Sequence, residues 1–109
     1  MSCNCIDSAM AENVILGTKL KYVVEITADG FSMMDDNFTI TLKSGQVVKE
    51  YTKSQLVQGD DDKFYLCFDT KDFGRGLIKA TVTAYVPDED FEDGYRTEIE
   101  KINLINVNA

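Results

Sequence analysis

The chain contains no histidine and no tryptophan. Without an imidazole, nucleophile–base pairs of the Ser–His or Cys–His kind cannot be assembled from its side chains. Its three cysteines are an odd count and do not describe a disulfide framework. Cys3 and Cys5 form a C-x-C near the start, and Cys67 lies in an apolar stretch. A structural zinc site usually takes four Cys or His ligands, so these are read as reduced thiols in a reducing compartment. No apolar run approaches the roughly 18 residues that cross a bilayer. The opening "MSCNCIDSAMAENVIL" has no basic segment before its apolar residues, so no secretory signal is expected and synthesis in a cytoplasm is. Positive charge is scarce as well. Eleven Lys and Arg face nineteen Asp and Glu, and the net charge of −8 argues against nucleic acid and anionic membranes as partners.

What is present is a soluble globular composition, with 44% hydrophobic and 28% charged residues. At 109 residues the chain has room for one domain with a single core. Residues 1–16 lack strand alternation and are expected to form an N-terminal arm, extended or with a helical turn or two. From 17 to 109 the period is two. Leu20, Tyr22, Val24 and Ile26 alternate with Lys19, Lys21, Val23 and Glu25. Phe38, Ile40 and Leu42 do so in "NFTITLK", and "SGQ" then turns the chain into the more polar "VVKEYTK". "KFYLCFDT" places Phe64, Leu66 and Phe68 inward, and "LIKATVTAYV" does the same for Ile78, Ala80, Val82, Ala84 and Val86. In "YRTEIEKINLINV", Thr97 and Ile99 are out of phase with Ile102 and Leu104, which predicts a bulge near Glu100–Lys101. Six strands, short turns and a single proline predict an all-β fold. The expected form is an immunoglobulin-like antiparallel β-sandwich of six to seven strands, with a small barrel as the alternative.

Antiparallel succession has an electrostatic consequence. Every second connection falls at the same end, and "DGFSMMDDN", "SQLVQGDDD" and "PDEDFEDG" hold eleven of the nineteen acidic residues. One end of the domain is therefore expected to be strongly negative. Oxygen ligands from adjacent loops suit Ca²⁺, with Asp60, Asp62, Asp88, Asp90 and Asp93 as the candidates. The EF-hand pattern fails, because a loop begun at Asp88 places Asp93 where glycine is required, and one begun at Glu89 places Phe91 at a ligand position. A solvated set of acidic turns that holds basic residues of a partner is the preferred reading, with no metal and no cofactor. Arg96, just after the Gly94 turn, is placed to fold back onto the loop carboxylates. Carboxylates in polar loops both stay ionised, so a general acid–base pair is not expected and the chain is read as a non-enzyme. "VVKEYTK" is the candidate edge strand, guarded by Lys49 and Lys53.

The segment "FDTKDFGRGLIKATVTAYVPDEDFEDGYRTEI" resembles the C-terminal half of small β-sandwich domains in structural proteins of tailed phages, especially phages and prophages of gut Bacteroidales. The resemblance rests on Asp69, Thr70, Gly74, Gly76, Pro87, Asp88, Asp90, Phe91, Asp93, Gly94, Arg96, Thr97 and Glu98. "NFTITLKSGQVVKEYTKSQL" is similar to the strand pair that starts upper-baseplate and fibre-attachment domains. The likeness covers roughly Gly17 to Val107. It implies a virion protein made in the bacterial host cytoplasm. With no fibre or tip following, the expectation is an auxiliary capsid, head-fibre-anchoring or tail accessory protein. Its partners would be capsid, fibre or tail subunits, in a homo-oligomeric or multi-copy assembly. The residues expected to touch neighbours are Cys3, Cys5, Ile6, Met10 and Val14 of the arm, with Asp88, Asp90 and Arg96 of the acidic loop. Two alternatives stand beside this: a glycan- or receptor-binding module, calcium-dependent or not, and an intracellular regulator that mimics an acidic ligand.

Overall fold

The computed structural model describes residues 2–3 (backbone pairing only), 12–60 and 63–109. Cys5, Ile6, Met10, Asp61 and Asp62 lie outside the described residues. The strands are β1 (Ser2–Cys3), β2 (Glu12–Ile15), β3 (Lys19–Val24), β4 (Ile26–Thr27), β5 (Phe38–Ser44), β6 (Val47–Thr52), β7 (Val57–Gln58), β8 (Phe64–Asp69), β9 (Gly76–Pro87) and β10 (Tyr95–Asn108). Among the described residues the helical pieces are two single 3₁₀ turns, Lys53–Gln55 and Thr70–Asp72, and no helix is long and apolar enough to cross a membrane.

Two sheets share the core. The larger runs β2-β10-β9-β5-β6 and the smaller β3-β8-β7, while β1 pairs with β4. All these pairings are antiparallel except β2 with β10. Alternation explains why these segments are strands. Along β9, Ile78, Ala80, Val82, Ala84 and Val86 are all buried, and the intervening residues face outward. Phe38, Ile40 and Leu42 of β5 and Phe64, Leu66 and Phe68 of β8 close the core from the two sheets. Phe38 meets Phe64 edge-on with ring centroids 5.7 Å apart. Each such side chain contributes about 1.5–3 kcal/mol by leaving water.

Three details differ from the sequence expectation. The bulge lies at Leu104, because pairing with β9 runs unbroken from Tyr95 to Asn103 and shifts only between Asn103 and Ile105. Leu104 and Ile105 are both buried there, as a bulge permits. Thr97 and Ile99 face solvent, Ile99 being 59% exposed, so the change of phase that suggested Glu100–Lys101 is a change of face and not of register. Residues Glu12–Ile15, assigned by pattern to the arm, extend the larger sheet along β10, and Val14 lies beside Val107 and packs on the core. Finally, Val57–Gln58 is a short strand inside what the sequence presents as a connection.

The register fixes which ends coincide. Phe38 opposes Ala84, Thr39 opposes Thr52, and Tyr95 opposes Pro87. The loops 28–37, 53–63 and 88–94 therefore leave the sandwich at one end. The turns 44–47 and 70–75 lie at the other.

Candidate functional site

The end that carries the three loops holds Asp29, Asp35, Asp36, Asp60, Asp88, Glu89, Asp90, Glu92 and Asp93 among the described residues. The third and first loops are closed by their own hydrogen bonds. Asp88 closes the hairpin, its N–H donating to the Gly94 carbonyl at 2.9 Å, while Gly94 adopts φ +87°. The Phe91 N–H donates to the Asp88 carbonyl and the Gly94 N–H to the Phe91 carbonyl. The Asp90 N–H donates to the Asp88 carboxylate at 3.0 Å. In the first loop, Asp36 accepts from the Ser32 N–H at 2.7 Å, and buried Met33 anchors the turn.

Two cations tie these turns into one surface. Arg96 folds back as its position suggested. Its guanidinium donates to Asp88 Oδ2 at 3.0 Å, to the Asp29 carbonyl at 2.8 Å and to Glu98 Oε2 at 3.4 Å, so it bridges the third loop to the first. The Asp90 N–H and then the Arg96 guanidinium hold the Asp88 carboxyl below its usual range. That direction is opposite to what a general acid at neutral pH needs. Lys53 joins the second loop to the first: its ammonium donates to the Met34 carbonyl at 2.6 Å and the Asp36 carbonyl at 3.1 Å, 5.5 Å from the centre of the Phe64 ring. The capping contact from the Thr52 N–H to Gln55 Oε1, 2.8 Å, holds the turn that aims it.

The candidates do not all meet. Asp88, Asp90 and Arg96 form one hydrogen-bonded unit with Asp93 in the same loop, and Asp60 lies at the same end in the β7–β8 turn. Asp62 lies outside the described residues. Among the described residues no three acidic or thiol side chains converge to hold a metal ion, and Asp88 spends its oxygens on Asp90 and Arg96. Val14 sits at the far end of β10, away from the acidic loops. Cys3 pairs through its backbone with Ile26. Cys67 is an exposed thiol on the outer face of the smaller sheet.

Beside the acidic loops lies an open cleft of about 1130 Å³, lined by Met34, Asp35, Thr39, Gln58, Tyr85 and Tyr95 among others. Tyr85 and Tyr95 contact edge to face, with centroids 5.5 Å apart. The acidic turns and the fold-back of Arg96 are legible in the sequence. Tyr85 is not, because a tyrosine inside an apolar strand reads as core; only its odd position in the alternation with Ala84 and Val86 marks it as outward. Lys53 likewise reads as an edge guard, and its carbonyl partners nineteen and seventeen residues away carry no sequence signal. Comparison with protein-family models, with curated proteins and with solved structures finds no match.

Proposed function

We propose that the chain is a non-enzymatic virion structural protein of a tailed bacteriophage, an immunoglobulin-like β-sandwich that works by contact with other virion proteins through its acidic end. The observation that carries the contact surface is the convergence of nine described carboxylates on three turns braced by Arg96 and Lys53. A rigid field of one sign steers and orients a basic partner surface and repels nucleic acid. The immunoglobulin-like reading is supported by strand order. The division into β10-β9-β5-β6 and β3-β8-β7 is compatible with that architecture, with β2 lying parallel beside β10 in the larger sheet.

The virion assignment draws on the resemblance of residues 69–98, and the structure supplies physical roles for the residues that carry it. Asp69 accepts the Lys71 N–H at 2.9 Å, and Thr70 is a fully buried hydrogen-bonding hub. Asp88, Gly94 and Arg96 build the acidic turn. Mass spectrometry of purified phage particles tests the proposal. The chain is expected among the particle proteins in multiple copies. Its absence from particles, while abundant in the infected-cell lysate, would overturn the virion assignment.

A further inference from the structure

We propose that the cleft between the first two acidic loops and the Tyr85–Tyr95 pair seats a cationic side chain, arginine above all, on an extended segment of the partner protein. This rests on reading the acidic end as a contact surface and names the chemistry it selects. The lining of the cleft offers both kinds of group that a guanidinium uses, an aromatic face and a carboxylate. The aromatic face is Tyr95, 39% exposed, held by edge-to-face contact with half-buried Tyr85 at an interplanar angle of 85°. A tyrosine fixed by its neighbour presents its ring at little cost in rotamer entropy. The carboxylate is Asp35, exposed on the rim. That carboxylate accepts one long bond, 3.3 Å from Ser32 Oγ, and enters no ion pair among the described residues.

The chain's own Lys53 illustrates the same chemistry on the neighbouring wall, where an ammonium takes two backbone carbonyls 5.5 Å from the centre of an aromatic ring. Lys53 is committed there, while among the described residues no cation pairs with Asp35 or stacks on Tyr85 or Tyr95. A planar guanidinium can stack on a tyrosine and fork onto a carboxylate together, which an ammonium cannot, so arginine outranks lysine. Phosphate, sulfate and acidic peptides are disfavoured by Asp35 and Asp36 on the lining and by the negative charge of the loops at this end, while Lys53, the cation on the lining, is held by two carbonyls.

The test titrates the isotope-labelled full chain with an unstructured Gly/Ser nonapeptide that carries three arginines, at low salt. The same peptide with glutamine for arginine and an uncharged glucose oligosaccharide run beside it. Amide shifts are expected at Thr39, Tyr85 and Tyr95 with the arginine peptide alone. Tyr95→Leu and Asp35→Asn should each weaken binding roughly threefold to thirtyfold, the range such contacts carry. Thermal melts confirm that both variants stay folded, and Tyr95→Phe, which keeps the ring, should bind as wild type. If the peptide binds but shifts only Glu89–Asp93, with both variants binding normally, the cleft assignment falls while the acidic contact surface stands. If no arginine peptide binds, both fall. If the oligosaccharide binds at the tyrosines as tightly as the peptide, the cleft is a saccharide site and the inference is wrong.

Discussion

Replacing Thr70 by valine removes one oxygen from a buried joint while it keeps the side chain's shape. Thr70 is fully buried at the start of the Thr70–Asp72 turn. Its Oγ1 accepts the Gly17 N–H at 2.9 Å and donates to the Thr18 carbonyl at 2.9 Å. The Thr70 N–H donates to that same carbonyl at 3.1 Å. The hydroxyl thus stitches the entry of β3 to the exit of β8. In the variant the Thr18 carbonyl keeps one donor, but the Gly17 N–H, at φ +103°, loses its acceptor. The cost is therefore set by one orphaned donor and one lost bond, about 1–3 kcal/mol. For a domain of this size that corresponds to a fall of about 5–15 °C in melting temperature. Urea unfolding should show a lower midpoint with an unchanged slope. Thr70→Ser, which keeps the hydroxyl, should recover most of the loss. The reasoning is refuted if valine unfolds with the wild-type midpoint, or if serine is as damaging as valine.

Other substitutions probe the acidic end. Arg96→Met keeps the apolar stem and removes the guanidinium. It should speed amide exchange in residues 28–31 and 88–94, yet lower global stability by less than about 1 kcal/mol because the ion pairs are partly exposed. Unchanged protection in both loops would contradict the brace. The Asp88 carboxyl is held below its ordinary range when folded, so its contribution is present above that range and is lost as pH falls through the folded value. Asp88→Asn should accordingly flatten the acid limb of the stability–pH curve, read as urea midpoints between about pH 5 and pH 2. Gly94→Ala meets no atom within 4 Å, so its cost is the left-handed backbone alone, about 1–2 kcal/mol in urea unfolding.

Much of the fold is written locally. The inward sets of β5, β8 and β9 follow from alternation, since a period of two commits every second residue to one face. The acidic end follows from turn spacing and antiparallel succession, because these place alternate connections together whichever sheet a strand joins. Long-range placement is not written that way. Glu12–Ile15 pairs with residues more than ninety positions away, in parallel, and only Val14 of the four packs on the core, so no local pattern marks it. Ile99 suggests burial by its chemistry, yet it opposes Thr83 on the outer face of the larger sheet and is exposed. The cleft joins Asp35, Gln58 and Tyr95, whose proximity depends on three loop conformations at once.

The central claim is that the position of the acidic charge matters, and not only its amount. Two variants of equal net charge test it. One carries Glu89→Gln, Asp90→Asn and Glu92→Gln in the third loop. The other carries Glu12→Gln, Glu50→Gln and Asp72→Asn, away from it. Affinity for the arginine peptide is measured for both against the wild-type chain. The account predicts at least a tenfold loss for the loop variant, about 1.4 kcal/mol, and a loss below about twofold for the other. Equal losses would show that the peptide responds to net charge alone, and the acidic end would lose its standing as the contact surface.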